Sequence, residues 1–189
     1  MRQTGILMPV SSLPSRTGIG ELGSSAYQWI DMMKKNGIRI WQILPLNPVG
    51  DGNSPYQPYS SYAGDELYIS LDILKEEGLL TSLPESFREK EKRVDYDAVR
   101  SFKIPYLKEA FERFREQKLD QEADYRQFAD QEWVKEYSVF RALKAANGGT
   151  CWNEWKEEDK NWPETRRQLT EEEREEAAFH VFLQYQFFR

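Results

Sequence analysis

The residue types best suited to chemistry lie in an irregular segment that runs from residue 47 to residue 64. Three prolines and three glycines predict a loop there, and so long a loop in a compact domain is usually functional. Tyrosine suits sugar recognition because its ring stacks on the apolar face of a sugar while its hydroxyl bonds to the hydroxyl rim. The candidate binding residues are Ser54, Tyr56, Gln57, Tyr59 and Tyr62. The alternative, that these tyrosines only pack beneath a neighbouring helical section, stays open.

Carboxylates are the second group that could do chemistry. A retaining glycosidase needs two of them about 5–5.5 Å apart, one as nucleophile and one as acid/base. Nearly all of the 32 acidic residues fall on charged helical faces, where solvation explains them. Asp51 and Asp65, in or beside the loop, are the exceptions, and nothing near either of them marks a nucleophile. His180 is interpreted as a structural residue of an amphipathic helix, so no catalytic residue is predicted in this chain.

A glycine-rich motif at residues 18–23 matches the G-x-G-x-x-G pattern of dinucleotide-binding folds. In those folds the glycines form the tight turn directly after a strand. Here they begin well beyond the strand predicted to end at Val10, and Pro14 and Arg16 intervene. We therefore interpret these glycines as loop-forming residues and not as a nucleotide site.

Composition and charge exclude several other classes of site. The net charge is −6 and the basic residues are spread among acidic ones, whereas phosphate binding needs a concentrated basic surface, so no nucleic-acid partner is expected. No apolar stretch approaches membrane-spanning length, so no membrane partner is expected either. Cys151 and His180 are the only cysteine and histidine, too few for a zinc site. The N-terminus lacks the apolar core of a signal peptide, which predicts a cytoplasmic protein.

The first section of the chain, residues 1–84, is predicted to begin with two strands joined by a helix. Ile6–Val10 is a short, unalternating apolar run, typical of a strand covered on both faces, and Ile38–Leu44 is the second strand. Two strands joined by one helix must run parallel. The helix is predicted to be capped by Ser24 or Ser25, to bury Ala26, Ile30 and Met33, and to stop at Asn36-Gly37. After the loop 47–64, Leu67–Leu71 is predicted to be a strand-like or extended segment, and a short helix follows to about Leu80.

The second section, residues 85–169, is charged and is predicted to be a helical insertion. One helix carries Ile104, Leu107, Phe111 and Phe114, with Pro105 in its first turn. Another carries Trp133, Tyr137, Phe140 and Leu143, and ends at Asn147-Gly148-Gly149. The third section, residues 170–189, is predicted to be a helix opened by a capping box between Thr170 and Glu173.

Several motifs, taken in order, resemble those of the 4-α-glucanotransferases, also called amylomaltases, of glycoside hydrolase family 77. In the first section these motifs are Gly5–Ser15, Gly18–Gly20, Trp41–Pro48, Ser54–Tyr56 and Ala63-Gly64. In the later sections they are Asp95-Tyr96, Ala142–Lys144, Trp152–Trp155 and Phe187–Arg189. The resemblance covers essentially the whole chain. Two departures lie close to the loop: Tyr62 replaces the usual phenylalanine, and Asp65-Glu66 stands where Asn-Pro is common.

The resemblance implies an α/β fold, the incomplete N-terminal part of a (β/α)8 TIM barrel with a mostly helical insertion. It implies transfer of an α-1,4-glucan segment between maltooligosaccharides through a covalent glycosyl-enzyme, with no metal and no organic cofactor. Ser54 and Tyr56 inherit the family's contacts with bound glucan. The family's nucleophilic aspartate, acid/base glutamate and supporting aspartate lie on later barrel strands and have no counterpart here, since barrel sites are assembled from several strands.

The chain by itself is therefore expected to be inactive, and its helix without a stop at Phe188-Arg189 is interpreted as a cut end. The expected partners are a maltooligosaccharide or α-glucan substrate and the remainder of its own polypeptide. Two alternatives stay open at this point. One is a non-catalytic glucan-binding or helical interaction module, which the tyrosine-rich loop 47–64 (the tyrosine loop), Trp152 and Trp155 would favour. The other is a fragment of an α-glucan hydrolase, in which water accepts the intermediate.

Overall fold

The computed structural model describes residues 3–50, 52–87 and 93–189. The chain divides into two compact units, Met1–Leu119 and Asp120–Arg189. This division falls inside the predicted section 85–169, and the three predicted sections stay a prediction. Among the described residues, no helix combines the length and the apolar character needed to cross a membrane.

The two predicted strands form a parallel pair, as expected. Strand β1 is Gly5–Leu7, strand β2 is Ile40–Gln42, and Ile6 lies opposite Trp41. Both strands are shorter than predicted, and at the end of the first one Val10–Ser12 forms a 3-10 helix. The expectation that β1 is covered on both faces is wrong for the described residues: Leu7 is 58% exposed, since the described sheet contains only these two strands.

Helix α1 is Ser24–Lys35, between the two strands. Its N-cap is Gly23, without a side-chain bond, so the prediction of a serine cap is wrong: both serines already lie within the first turn. Ala26 and Met33 are buried as predicted, but Ile30, which falls on the same stripe, is 48% exposed, because no described residue covers it. Gly37 has φ +70°, the left-handed conformation expected of a helix stop.

The segment predicted to be strand-like or extended, Leu67–Leu71, is extended only at Ile69 and Ser70, and the residues on either side of these two are helical. Glu66–Tyr68 is a 3-10 helix, started by the Asp65 side chain, which accepts a hydrogen bond from Leu67 N. Helix α2, Leu71–Glu76, follows, and its apolar side contributes to the core of the first unit.

Helix α3 is Tyr96–Glu116, capped by Asp95, whose side chain accepts a hydrogen bond from Ala98 N. The helix starts earlier than predicted, so Pro105 lies in its interior and not in its first turn. Pro105 is exposed, where the loss of one backbone donor does not open the core. The predicted apolar face is confirmed by the burial of Leu107, Phe111 and Phe114, while Ile104 is half-buried.

The second unit is helical. Its helices are α4 Ala123–Ala129, α5 Glu132–Ala146, α6 Glu157–Lys160, α7 Trp162–Thr165 and α8 Glu171–Phe188. Helix α5 packs along α8, and α5 buries Tyr137 and Leu143 as predicted. The capping box of α8 is confirmed: Thr170 Oγ1 accepts from Glu173 N at 3.2 Å, and Glu173 Oε2 accepts from Thr170 N at 2.8 Å.

Candidate functional site

The candidate loop presents two of its tyrosines to solvent. Tyr56 is 71% exposed and Tyr62 is 70% exposed, values unusual for side chains that are largely apolar. Gln57 is exposed as well, whereas Ser54 and Tyr59 are half-buried. The alternative that the tyrosines only pack beneath the helical section therefore does not describe Tyr56 or Tyr62.

The first part of the loop folds back on itself like a short hairpin. Val49 and Pro58 form an isolated antiparallel bridge. The two arms are joined by backbone hydrogen bonds from Gly50 N to Gln57 O (3.3 Å) and from Tyr59 N to Pro48 O (3.0 Å). At the tip, Ser54 Oγ accepts from Tyr56 N (3.4 Å) and Ser54 O accepts from Gln57 N (3.1 Å). The candidate residues thus lie on a turn that has its own backbone support.

The second part of the loop is organised by side chains. Ser60 Oγ accepts hydrogen bonds from Tyr62 N (3.1 Å) and Ala63 N (3.2 Å). Asn47 Nδ2 donates to Ala63 O at 2.9 Å, which joins the two ends of the loop. These bonds hold Tyr62 in an outward position on a turn whose base is buried.

Asp65 lies directly behind the loop and is 1% exposed. Its Oδ2 accepts from Val49 N at 3.3 Å, its Oδ1 accepts from Leu67 N at 3.0 Å, and its own N donates to Leu46 O at 2.8 Å. Burial, and next the neighbouring Glu66 carboxylate, raise the pKa of Asp65 to about 6. The Leu67 amide, Arg100 and the Val49 amide oppose this rise only in part.

A buried lysine supports the same region from helix α3. Lys103 has no exposed surface, and its Nζ donates to Glu21 Oε1 (2.5 Å), Leu67 O (2.8 Å) and Ile69 O (2.7 Å). Thr17 Oγ1 donates to the same Glu21 oxygen at 2.8 Å. Burial lowers the pKa of Lys103, and the charge of Glu21 opposes that effect. The network ties the segment behind the loop to α3 and to the stretch before α1.

Lys103 and Glu21 were not predicted from the sequence. A signal was present, because Lys103 falls between Val99 and Leu107 at four-residue spacing, and so on the buried face of the helix. A lysine on such a face must find oxygen ligands, since a buried charge without partners is costly. Only the fold shows which residues supply them.

Close packing accounts for the glycine motif. A Cβ on Gly20 would lie 1.9 Å from Val10 O, and one on Gly23 would lie 2.5 Å from Ser70 Oγ. Gly18 has φ +82° and packs against the ring of Phe87, whose Cδ1 would be 2.4 Å from an added Cβ. The motif thus serves as a tight junction in the first unit, consistent with its interpretation as loop-forming.

The sequence also singled out Asp51, His180, Trp152 and Trp155. Asp51 is outside the described residues. His180 is buried on α8, with its Nε2 3.3 Å from Glu176 Oε1. Trp155 is buried and donates through Nε1 to Thr150 O at 3.1 Å, whereas Trp152 is 58% exposed. Over residues 3–50, 52–87 and 93–189, no three side chains of His, Cys, Asp or Glu form a group that could hold a metal ion.

The described fold is mostly helical with one parallel two-stranded sheet, and its loop presents the rings of Tyr56 and Tyr62 to solvent. The 4-alpha-glucanotransferase family matches residues 8–189. The chain is 40% identical to the 4-alpha-glucanotransferase of Thermus thermophilus over 196 residues, and 41% identical to that of Synechocystis sp. over 195 residues. Both alignments cover 100% of this chain, which spans 38% of the length of these curated relatives.

The structure is also similar to a solved one. The amylomaltase from Streptococcus agalactiae in complex with acarbose matches with a TM-score of 0.87 and 30% identity, over 100% of this chain and 39% of that chain. The chain belongs to the 4-alpha-glucanotransferase family, which confirms the resemblance drawn from its motifs.

Proposed function

We propose that this chain is part of a 4-alpha-glucanotransferase that moves α-1,4-glucan segments between maltooligosaccharides by a retaining, covalent mechanism. The observation that carries the proposal is the family match, which extends over residues 8–189. The relatives at 40% and 41% identity are 4-alpha-glucanotransferases. A cytoplasmic location stays a prediction from the sequence.

The tyrosine loop supplies one wall of the glucan site in this proposal. Tyr56 and Tyr62 offer exposed rings for stacking, and the hydroxyl and amide groups of the loop offer hydrogen bonds to a sugar rim. The backbone bonds within the loop support this role, because a preformed site loses little conformational entropy on binding. The contributing residues are Ser54, Tyr56, Gln57, Tyr59 and Tyr62.

The strands of the chain are the first strands of a (β/α)8 barrel in this proposal, completed by the remainder of the polypeptide. The parallel β1–β2 pair with α1 between its strands supports this assignment. Further support comes from apolar side chains left exposed on and next to the strands, at 58%, 45% and 40% for Leu7, Ile40 and Ile43. Neighbouring barrel strands and helices would cover such residues.

The reactive carboxylates come from that remainder. In the part of the chain that the structure describes, the buried acids of the first unit already have partners: Glu21 binds Lys103, Glu66 binds Arg100 at 2.7 Å, and Asp65 accepts backbone hydrogen bonds. An acid held in this way is poorly placed to attack a sugar or to transfer a proton to it.

Turnover of maltotriose tests the proposal. We expect no glucose or longer glucans from the purified 189-residue chain, and both products from the polypeptide encoded by the complete reading frame. Turnover by the chain alone would show that it contains the reactive carboxylates. Absence of turnover in both proteins, with maltotriose and longer maltooligosaccharides, would refute the transferase assignment.

Tyr56→Ala tests the loop itself in the complete enzyme. Loss of one exposed stacking ring should raise KM by about tenfold while kcat changes less, since a stacking contact contributes on the order of 1 kcal/mol. Tyr56→Phe keeps the ring and should keep most of the affinity. Tyr27→Ala, on helix α1 and 63% exposed, is the matched control and should leave KM unchanged. Equal effects at the two positions would exclude Tyr56 from the site.

A further inference from the structure

The start of the tyrosine loop and the segment behind it are held by the two oxygens of one carboxylate. Asp65 Oδ2 accepts from Val49 N, and Oδ1 accepts from Leu67 N. Val49 also forms the antiparallel bridge to Pro58, and the next residue pair along this hairpin joins Gly50 to Gln57. Whatever fixes Val49 therefore also fixes the arm that carries Tyr56 and Gln57.

The geometry points to Asp65 as a positioning residue for the tyrosine loop, one that holds the loop in its glucan-binding shape through Val49. The relation to glucan rests on the proposed function, whereas the relation between Asp65 and the loop does not. Asp65 is not a catalytic residue here, because it is 1% exposed and both oxygens face backbone amides.

An ionised carboxylate fits this role better than an uncharged side chain. Two N–H groups approach from different segments, so both oxygens must act as acceptors. An asparagine has one acceptor oxygen and would turn an NH2 donor toward the second N–H. A protonated aspartate has the same defect, since one of its oxygens then carries a hydrogen. Loss of the negative charge should therefore weaken one of the two contacts.

The charged groups around Asp65 place this change near neutral pH. Burial makes the largest contribution to the raised pKa of Asp65, and the Glu66 carboxylate on the adjoining 3-10 helix makes the next largest. Arg100 on α3 lowers the pKa of Asp65. Lys103, also on α3, and the phenol of Tyr68 are the other titratable groups that sense its charge. With a pKa of about 6, Asp65 is ionised at pH 8 and largely protonated at about pH 5. The Val49 amide lowers the pKa of Asp65, so protonation weakens this one contact while the side chain stays buried. The loop should therefore loosen locally as the pH falls through that range, although the raised pKa means that protonation favours the folded state over the completely unfolded one.

Hydrogen exchange of the intact protein tests the assignment, with protection factors corrected for the intrinsic effect of pH. At about pH 8, Asp65→Asn should lower the protection of the peptide around Val49 by about tenfold, the effect of one lost hydrogen bond. In the parent protein, protection there should fall between about pH 8 and about pH 5. In the variant it should be low and independent of pH. Asp72→Asn changes a partly exposed acid of α2 that pairs with Arg16; it is the matched control and should behave like the parent.

A titration of the unmodified protein keeps the test decisive if the variant does not fold. The carboxyl carbon of Asp65 and the amide of Val49, followed by NMR, should titrate together with a midpoint near 6. The assignment would be overturned if hydrogen-exchange protection at Val49 changed neither with Asp65→Asn nor with pH. It would also be overturned if the chemical shift of the Val49 amide did not titrate with that of the Asp65 carboxyl. Neither readout requires glucan. A loop that responds as expected in a protein without glucan affinity would refute the proposed function and leave Asp65 as the positioning residue.

Discussion

Each unit of the molecule contains a cation with several hydrogen-bond partners, but the two cations have different surroundings. In the first unit Lys103 is completely buried and faces one carboxylate, Glu21, and two backbone carbonyls. In the second unit Arg167 keeps a 20% exposed side chain and binds two carboxylates, Asp159 and Glu173. The guanidinium reaches Asp159 Oδ1 at 2.8 Å and Glu173 Oε1 at 2.7 Å.

The partners differ in what they would keep if the cation were removed. Asp159 also accepts from Asn147 Nδ2 at 2.7 Å, and Glu173 also accepts from Thr170 N at 2.8 Å. Among the described residues, Glu21 keeps only the hydroxyl of Thr17, and its side chain is 7% exposed. A buried charge is costly when its counter-charge is lost, so the cost of removing the cation should depend on the remaining donors and on solvent access, not on the number of ion pairs.

The largest expected effect follows from Lys103→Met. The variant leaves Glu21 buried without its cation and should lower the free energy of unfolding by about 3–5 kcal/mol, measured by urea denaturation. Lys35→Met, an exposed lysine of α1, should change it by less than about 0.5 kcal/mol. The double variant Glu21→Gln with Lys103→Met should recover part of the loss, because it removes the stranded charge. A Lys103→Met effect no larger than the control would break the comparison.

The next effect concerns pH and has opposite signs in the two units. The pKa of Asp65 is raised from 3.8 to about 6, so the folded state binds its proton more tightly than the unfolded state does. Its contribution to stability is full below about pH 4 and is lost as the pH rises through about 6, a change of at most about 3 kcal/mol. The difference in unfolding free energy between the parent and Asp65→Asn, measured from pH 4 to pH 8, should show this decline.

Glu173 in the second unit is the internal contrast. Hydrogen bonds from Arg167, and next the Thr170 amide among the favourable contacts, hold the pKa of this carboxyl below its ordinary value, against its partial burial. Its contribution is therefore present above the ordinary pKa of a glutamate and is lost as the pH falls through the lowered value. If the unfolding free energy of Asp65→Asn depends on pH between 4 and 8 in the same way as that of the parent, the proposed difference between the two units is contradicted.

The smallest of the three effects is expected from Arg167→Met. Because Asp159 and Glu173 each keep a second donor and the Arg167 side chain that is removed is 20% exposed, so that water can take its place, the loss should be about 2 kcal/mol by urea denaturation. Arg166→Met is the matched control: its side chain is 52% exposed and pairs with Glu136, so about 1 kcal/mol or less is expected. A loss for Arg167→Met equal to that for Lys103→Met would show that solvent access does not separate the two networks.

Features that depend on neighbouring residues were predicted well. The capping box at Thr170 and Glu173, the stop at Gly37 and the buried face of Leu107, Phe111 and Phe114 follow from spacings of three or four positions. Predictions that assumed a particular burial were weaker. Ile30 fits an apolar stripe but is exposed, and Leu67–Leu71 has strand-like composition but begins in a 3-10 helix that Asp65 caps.

The same distinction holds for the candidate site. The sequence by itself determined that residues 47–64 form a loop rich in tyrosine, because prolines and glycines exclude helix and central strand there. Tertiary structure decided that Tyr56 and Tyr62 face outward. It also decided that Lys103 meets Glu21, 82 positions earlier in the chain, and that Asp65 holds Val49, 16 positions earlier. Turn and cap preferences act over a few residues, whereas burial and the partners of a buried charge are set only when distant segments pack together.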